Sequence, residues 1–258
     1  MTAEAPEEAG TASDAVPLPA DSPFGVDTTA KAQRIIALYP QSRSALLPLL
    51  HLVQSVQGFV SQQGVTFCAN QLGLSTAEVS AVATFYTMYK RKPCGEHLVS
   101  VCTNTLCAVL GGDAIYGKLR EHLGESGKPL GHEETAGTPG ERGSITIEHA
   151  ECLAACDFAP VLQVNYEYYD NQTPESAVEL VDALRRGEKP APTRGAPLTD
   201  FRTVEEQLAV GFDTDPEAVN GPSASAETVR GAQLATDRGW TAPTMPDDAA
   251  LPPVPEKR

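Results

Sequence analysis

The sequence predicts an α+β protein with two folded parts and irregular ends. Three observations support this prediction: apolar residues recur at helical spacing over residues 27–92, strand-like and helical segments alternate over residues 93–188, and both ends are rich in proline and acidic residues. The chain has 258 residues, of which 41% are hydrophobic and 21% charged. This is the composition of an ordinary globular protein with enough apolar material for a core.

The net charge of −15 is unevenly distributed along the chain. Residues 1–30 carry −6 and residues 201–258 carry −5, which leaves −4 for residues 31–200. Because nucleic acids and anionic membranes repel a negative protein, we expect neither as a partner. No apolar run approaches the roughly 20 residues that span a bilayer. The N-terminus is acidic where a signal peptide needs basic residues, so we expect a cytoplasmic protein with reduced cysteines.

Residues 27–92 are predicted to form a bundle of four helices. Their apolar residues recur every three or four positions, as in helices that bury one face. Ser75, with Glu78 three residues later, is typical of a capping box that starts a helix. The predicted boundaries are residues that cap or break helices. They are Asp27 and Pro40 for the first helix, Ser42 or Ser44 and Gly58 for the second, Gly73 for the end of the third, and Ser75 for the start of the fourth.

Residues 93–188 are predicted to fold as a small thioredoxin-like α/β sandwich. A β-α-β unit followed by a hairpin and a covering helix is typical of this architecture. The predicted order is strand 97–102, helix 108–123, loop 124–143, strand 144–148, strand 161–165 with a possible extra strand over 166–169, and helix 173–184.

The two ends have too few large apolar residues to offset the entropy of ordering them. Residues 1–26 are predicted to be a disordered acidic tail. Residues 189–258 are predicted to be an extended, proline-rich arm, with one short helix possible over residues 201–210.

Four of the six cysteines occur as two close pairs. Their spacing is C-x4-C followed, after a long gap, by C-x3-C, and each pair follows a predicted strand; the four residues are Cys102, Cys107, Cys152 and Cys156. In a reducing compartment, paired cysteines more often bind metal or act in catalysis than form disulfides. We therefore expect one site with four thiolate ligands.

Four thiolates suit either Zn²⁺ or an iron–sulfur cluster. Structural zinc sites usually have tight C-x2-C pairs around one ion, whereas a [2Fe–2S] cluster allows each wider pair to serve one iron. The spacing therefore favours the cluster over zinc and over four unligated thiols. Cys68 lies among apolar residues of a predicted helix and is expected in the core. Cys94 is expected to be a free surface thiol or a packing thiol, with a role as reserve ligand as the alternative.

The motifs around these cysteines resemble those of the E subunit family of NADH:quinone oxidoreductase, respiratory complex I. The resemblance covers about residues 28–187 and is carried by Tyr39-Pro40, Ala45–His51, Val82–Tyr86, Val101–Asn104 with Cys107, Glu151–Cys156 and Thr173–Glu175. The sequence departs from the family pattern at Ala154, where the family commonly has glycine. The resemblance does not extend into the tail beyond about residue 190.

The resemblance implies a helical bundle followed by a thioredoxin-like [2Fe–2S] ferredoxin domain. It places the four cluster ligands at Cys102, Cys107, Cys152 and Cys156. It also implies docking on the NADH- and FMN-binding subunit, beside the large iron–sulfur subunit, with membrane association only through the complex. The cluster would exchange single electrons with the flavin of that partner. The sequence has no G-x-G-x-x-G dinucleotide motif, so the chain is expected to hold no complete catalytic site by itself.

Two other functions stay open from the sequence. Related subunits serve as diaphorase components of NAD-linked hydrogenases and formate dehydrogenases. A zinc-stabilised structural module without a redox role would also use four cysteines.

Overall fold

The computed structural model describes residues 17–19, 21–211, 216, 220–223 and 225–246. The chain divides into two compact units, Met1–Pro222 and Ser223–Arg258. Most of the predicted acidic tail, residues 1–16 and 20, lies outside the described residues.

The first part of the larger unit is the predicted helical bundle. Its helices are α1 (Val26–Ile36), α2 (Leu46–Gln57), α3 (Gln62–Leu72) and α4 (Thr76–Phe85), with a 3₁₀ turn at Ser42–Ala45. Gly58 and Gly73 end α2 and α3 in left-handed conformations, which glycine adopts without steric cost. Ser75 and Glu78 form the predicted capping box of α4.

The second part is a mixed five-stranded sheet. Its strands are β1 (His97–Cys102), β2 (Glu134–Ala136), β3 (Ile145–Ala150), β4 (Leu162–Val164) and β5 (Glu167–Tyr169), in the order β2-β3-β1-β4-β5. Only β1 and β3 pair in parallel, and the helical crossover between them supplies the β-α-β unit. Strand β4 runs antiparallel to both β1 and β5. The α+β class is confirmed.

The single predicted helix over 108–123 is instead two helices, α5 (Thr105–Val109) and α6 (Gly112–Leu123). The chain breaks at Gly111, whose φ of +112° lies outside the helical region. The predicted loop 124–143 also contains β2, a three-residue edge strand too short for an alternation to be recognised.

One face of the sheet forms the core with α6 and with α7 (Pro174–Arg185). Val99 lies between Ile147 and Val164 on the neighbouring strands, and all three side chains are fully buried. The opposite face carries polar side chains and meets the bundle: Lys90, which follows α4, pairs there with Glu148 of β3.

Within the residues that the structure describes, the predicted arm over 189–258 also includes helical segments. The short helix that the sequence allowed, α8 (Phe201–Val210), packs against α2 of the bundle. Its Phe201 is fully buried with Leu98 of β1 and Cys94. The second unit holds α9 (Ala226–Asp237), a helix that was not predicted from the sequence and that has no buried residues.

A buried carboxylate of α8 joins the bundle to the sheet. Glu205 is fully buried, and its two oxygens contact His51 Nδ1 of α2 at 2.6 Å and the Tyr166 hydroxyl of the β4–β5 turn at 2.8 Å. Burial and the neighbouring carboxylate raise the pKa of Tyr166 well above its usual value, so the hydroxyl donates. The helix thus fixes two parts of the chain that are far apart in sequence.

A membrane span requires a long apolar helix. None of the helices in the described part of the chain has that length and composition.

Candidate metal centre

The first cysteine pair is buried at the carboxyl end of β1. Cys102 is the last residue of that strand, and Cys107 lies in α5, one turn after the strand ends. Both side chains are almost completely buried, together with Ala155 and Val161. These thiols are therefore set in the apolar interior.

Glycine at position 112 makes the compact turn after this pair possible. A Cβ at Gly112 would lie 2.4 Å from the carbonyl oxygen of Cys102 and 2.9 Å from that of Cys107. Side chains cannot approach backbone that closely, so the cysteine loop and the start of α6 can pack only with glycine here. This role of Gly112 was not predicted from the sequence.

The second cysteine pair lies on a loop between β3 and β4. Cys152 follows β3 by two residues, and Cys156 begins a 3₁₀ turn over Cys156–Phe158. Both side chains are exposed, and their sulfur atoms are 3.6 Å apart. Two thiolates on one tetrahedral metal, at metal–sulfur distances of about 2.3 Å, would be about 3.8 Å apart. The second pair is therefore spaced as two ligands of one metal.

The fold brings both pairs to the same edge of the sheet, because β1 and β3 are parallel neighbours that end together. Burial raises the pKa of Cys107 to about 11, and the Cys102 and Cys156 thiols add to the rise. The contact with Cys152 raises the pKa of Cys156. Each of these two thiols is thus affected by a thiol of the other pair.

This donor set fits a two-metal cluster. Within the described ranges, no group of three or more His, Cys, Asp or Glu side chains has the spacing of a metal site, so the fit rests on the chemistry of the four thiols. The thiols lie in two pairs: Cys152 and Cys156, whose sulfur atoms are 3.6 Å apart, and Cys102 and Cys107, which are buried together. In a [2Fe–2S] cluster each pair would serve one iron.

Backbone hydrogen bonds hold the two cysteine loops together. Thr103 N–H donates to the Ala150 carbonyl at 3.2 Å, and Cys102 N–H donates to the Val161 carbonyl at 3.2 Å. The Asn104 amide adds a 2.8 Å bond to Glu151. These bridges between the loops were not predicted from the sequence.

Ala154 occupies the strained position of the second loop. Its φ is +58°, in the left-handed region that glycine adopts freely and alanine does not. The resemblance described above implies a glycine here, and a φ of +58° is a conformation that glycine adopts without strain.

Cys68 and Cys94 lie apart from this centre. Cys68 is fully buried in the bundle core, and burial raises its pKa far above the usual value. Cys94 packs with Leu98 and Phe201, and burial raises its pKa to about 12. Both thiols therefore serve in packing within this structure.

The chain is similar to known proteins over most of its length. The model of the thioredoxin-like [2Fe–2S] ferredoxin family matches residues 32–185. The chain is 56% identical over 216 residues to the E subunit of the NADH-quinone oxidoreductase of Mycobacterium bovis, covering 83% of this chain and 81% of the relative. It is 33% identical over 185 residues to the mitochondrial NADH dehydrogenase [ubiquinone] flavoprotein 2 of Dictyostelium discoideum, covering 70% of each.

A solved structure of an NAD⁺-reducing [NiFe]-hydrogenase is also similar to part of this chain. The match has a TM-score of 0.45 and 14% identity, and it covers 54% of this chain and 23% of the hydrogenase chain. The family model matches more than half of the residues of this chain, and a relative with high identity matches most of its length. The chain therefore belongs to the thioredoxin-like [2Fe–2S] ferredoxin family, alongside the NADH-quinone oxidoreductase E subunits.

Proposed function

We propose that this chain is the electron-transfer subunit of an NADH:quinone oxidoreductase and binds one [2Fe–2S] cluster through Cys102, Cys107, Cys152 and Cys156. The observation that carries the proposal is the meeting of two thiol pairs at the parallel ends of β1 and β3. When bound, such a cluster takes up and releases one electron at a time.

The residues around the site suit this role. The buried pair, Cys102 and Cys107, is enclosed with Ala155 and Val161, which exclude water from one side. The exposed pair, Cys152 and Cys156, lies at the surface, where an electron can pass to another protein over a short distance. The chain therefore holds the cluster at the border between its core and a partner.

The NADH- and FMN-binding subunit is the proposed partner at this face, and the large iron–sulfur subunit is a further neighbour in the complex. The relatives are named as subunits of NADH-quinone oxidoreductases. Three apolar side chains next to Cys107 are exposed, namely Leu106, Val109 and Leu110. A protein partner that covers them would bury apolar surface beside the cluster.

We further propose that the chain resides in the cytoplasm, at the inner face of the cell membrane, and associates with the membrane only through the complex. Its six cysteines, none of which forms a disulfide in the structure, suit a reducing compartment.

The proposal predicts that NADH reduces this protein only through its flavoprotein partner. The anaerobically purified chain, mixed with NADH alone, should show no NADH oxidation and no EPR signal of a reduced cluster. When the NADH- and FMN-binding subunit is also present, NADH should be oxidised and the EPR signal of the reduced cluster should appear. NADH oxidation by the chain alone, or a zinc-containing chain that stays EPR-silent with the partner and with dithionite, would contradict the proposal.

A further inference from the structure

Arg194 lies beside the second cysteine loop, although it follows the matched family region, residues 32–185, by nine residues. The chain returns here to the sheet and pairs with the edge strand β5. Tyr168 N–H donates to the Arg194 carbonyl at 3.0 Å, and Thr193 N–H donates to the Tyr168 carbonyl at 2.8 Å. This pairing fixes the backbone of Arg194 next to the candidate metal centre.

The guanidinium of Arg194 is mostly buried and binds two carboxylates. It donates twice to Asp170, through Nη2 at 2.6 Å and Nε at 2.9 Å. Its Nη1 lies 3.3 Å from both carboxylate oxygens of Asp157. Only 15% of the arginine side chain is exposed. One positive charge thus faces two negative charges in a partly desolvated position.

The same guanidinium contacts the aromatic rings that support the loop. It lies 5.4 Å from the ring centre of Phe158 and 5.3 Å from that of Tyr168. At these distances a cation is attracted to the ring face.

Three of these partners, Asp157, Phe158 and Tyr168, lead to the second cysteine pair. Asp157 directly follows Cys156, and Phe158 N–H donates to the Ala155 carbonyl within the loop. The Tyr168 hydroxyl donates to the carbonyl of Leu153, the residue after Cys152, at 2.8 Å. Arg194 therefore holds the groups that shape the loop from Cys152 to Cys156.

We infer that Arg194 is a positioning residue that fixes the second cysteine loop and tunes the reduction potential of the cluster proposed above. Reduction adds one negative charge to the site. Arg194 offsets the charges of Asp157 and Asp170, so it favours the reduced form. Without it, two carboxylates close to the loop would oppose the incoming electron.

The test is a redox titration of the cluster-loaded, full-length chain, followed by EPR. For Arg194→Gln we expect a threefold to tenfold lower equilibrium constant for reduction, where tenfold equals 59 mV for a one-electron couple. Arg194→Lys should have a smaller effect, because lysine keeps the charge but not the planar double hydrogen bond. Asp157→Asn should shift the potential upward, and the double variant Arg194→Gln/Asp157→Asn should return toward the parent value.

Arg186→Gln is the matched control, since Arg186 pairs with the exposed Glu188 at 2.6 Å and is not part of this network. Its potential should equal that of the parent chain. Unchanged potentials in Arg194→Gln and Asp157→Asn would overturn the inference. If the Arg194→Gln variant does not retain a cluster, the Asp157→Asn variant decides. A reduction potential of its cluster at or below the parent value would overturn the inference. A parent chain that contains no iron and sulfide would refute the proposed function, which is a separate result.

Discussion

Ala154 and Ala155 lie side by side between Cys152 and Cys156, but only Ala154 has a backbone conformation that favours glycine. Ala154 has a φ of +58°, whereas Ala155 has a φ of −117° and is buried. Glycine removes the strain at the first position, at the cost of greater freedom in the unfolded chain. At the second position it removes a buried methyl group and gains nothing.

We therefore expect Ala154→Gly to be neutral or to stabilise the protein by up to about 1 kcal/mol. Ala155→Gly should destabilise it by about 1–2 kcal/mol. The thermal midpoints of the cluster-loaded variants, measured at one scan rate, should differ accordingly, by about 2–4 °C per kcal/mol for a chain of this size. Equal midpoints for the two variants would show that Ala154 is not strained.

Single residues also show what the sequence can and cannot indicate. The two cysteine pairs were predictable because their spacing is local. Arg194 was not, since its partners Asp157 and Asp170 lie 37 and 24 residues away in the chain and become neighbours only when the residues around Thr193 pair with β5.

The connection from β1 through α5 to α6 is the element on which the buried cysteine pair depends. Gly112 begins α6 and lies against the carbonyl groups of Cys102 and Cys107. A methyl group there must push the loop and the helix apart. Gly117, also within α6, offers a matched control, because a methyl group at that position would have no atom of another part of the chain within 4 Å.

We expect Gly112→Ala to lose most of its bound iron and sulfide after anaerobic purification, because its two buried ligands move. Gly117→Ala should retain a full complement and gain up to about 1 kcal/mol of stability, since alanine favours the helix over glycine. Iron and sulfide assays on the two proteins test this. A fully loaded Gly112→Ala variant would show that the close packing at this turn is not required.

Elements with local signals were predictable to within a few residues. The capping box at Ser75 marked the start of α4, and the helix opening at Pro174 follows Thr173, which caps it. The break between α5 and α6 was missed because both halves have helical patterns and the interruption depends on Gly111. Domain boundaries stay a prediction, since the bundle and the sheet belong to one compact unit.

At the scale of the whole molecule, α8 joins the bundle to the sheet through a buried carboxylate. The sequence allowed a short helix over residues 201–210 but could not show where it packs, because its contacts are with residues more than 30 positions away. Glu205 also lacks a distinguishing local motif. A charged residue without a recognised partner is normally expected at the surface.

Glu205→Ala should destabilise the protein by about 3 kcal/mol, because His51 and Tyr166 each lose a buried hydrogen-bond partner. The neighbouring variant Glu206→Ala removes a half-exposed ion pair with Lys31 and should cost less than about 1 kcal/mol. Thermal unfolding of the two variants under the same conditions distinguishes them. Similar midpoints would mean that the buried contact contributes no more than the surface pair.

The assignment of four cysteines to one [2Fe–2S] cluster is the central claim about the whole molecule. The decisive measurement is iron and sulfide content together with the EPR spectrum of the dithionite-reduced protein, for the parent chain and for serine variants of single cysteines. The parent chain and Cys68→Ser should each contain about two iron and two sulfide per chain and give the same spectrum. Variants of Cys102, Cys107, Cys152 or Cys156 should lose or alter that spectrum. A colourless, zinc-loaded parent chain, or the same effect from Cys68→Ser as from Cys152→Ser, would contradict the assignment.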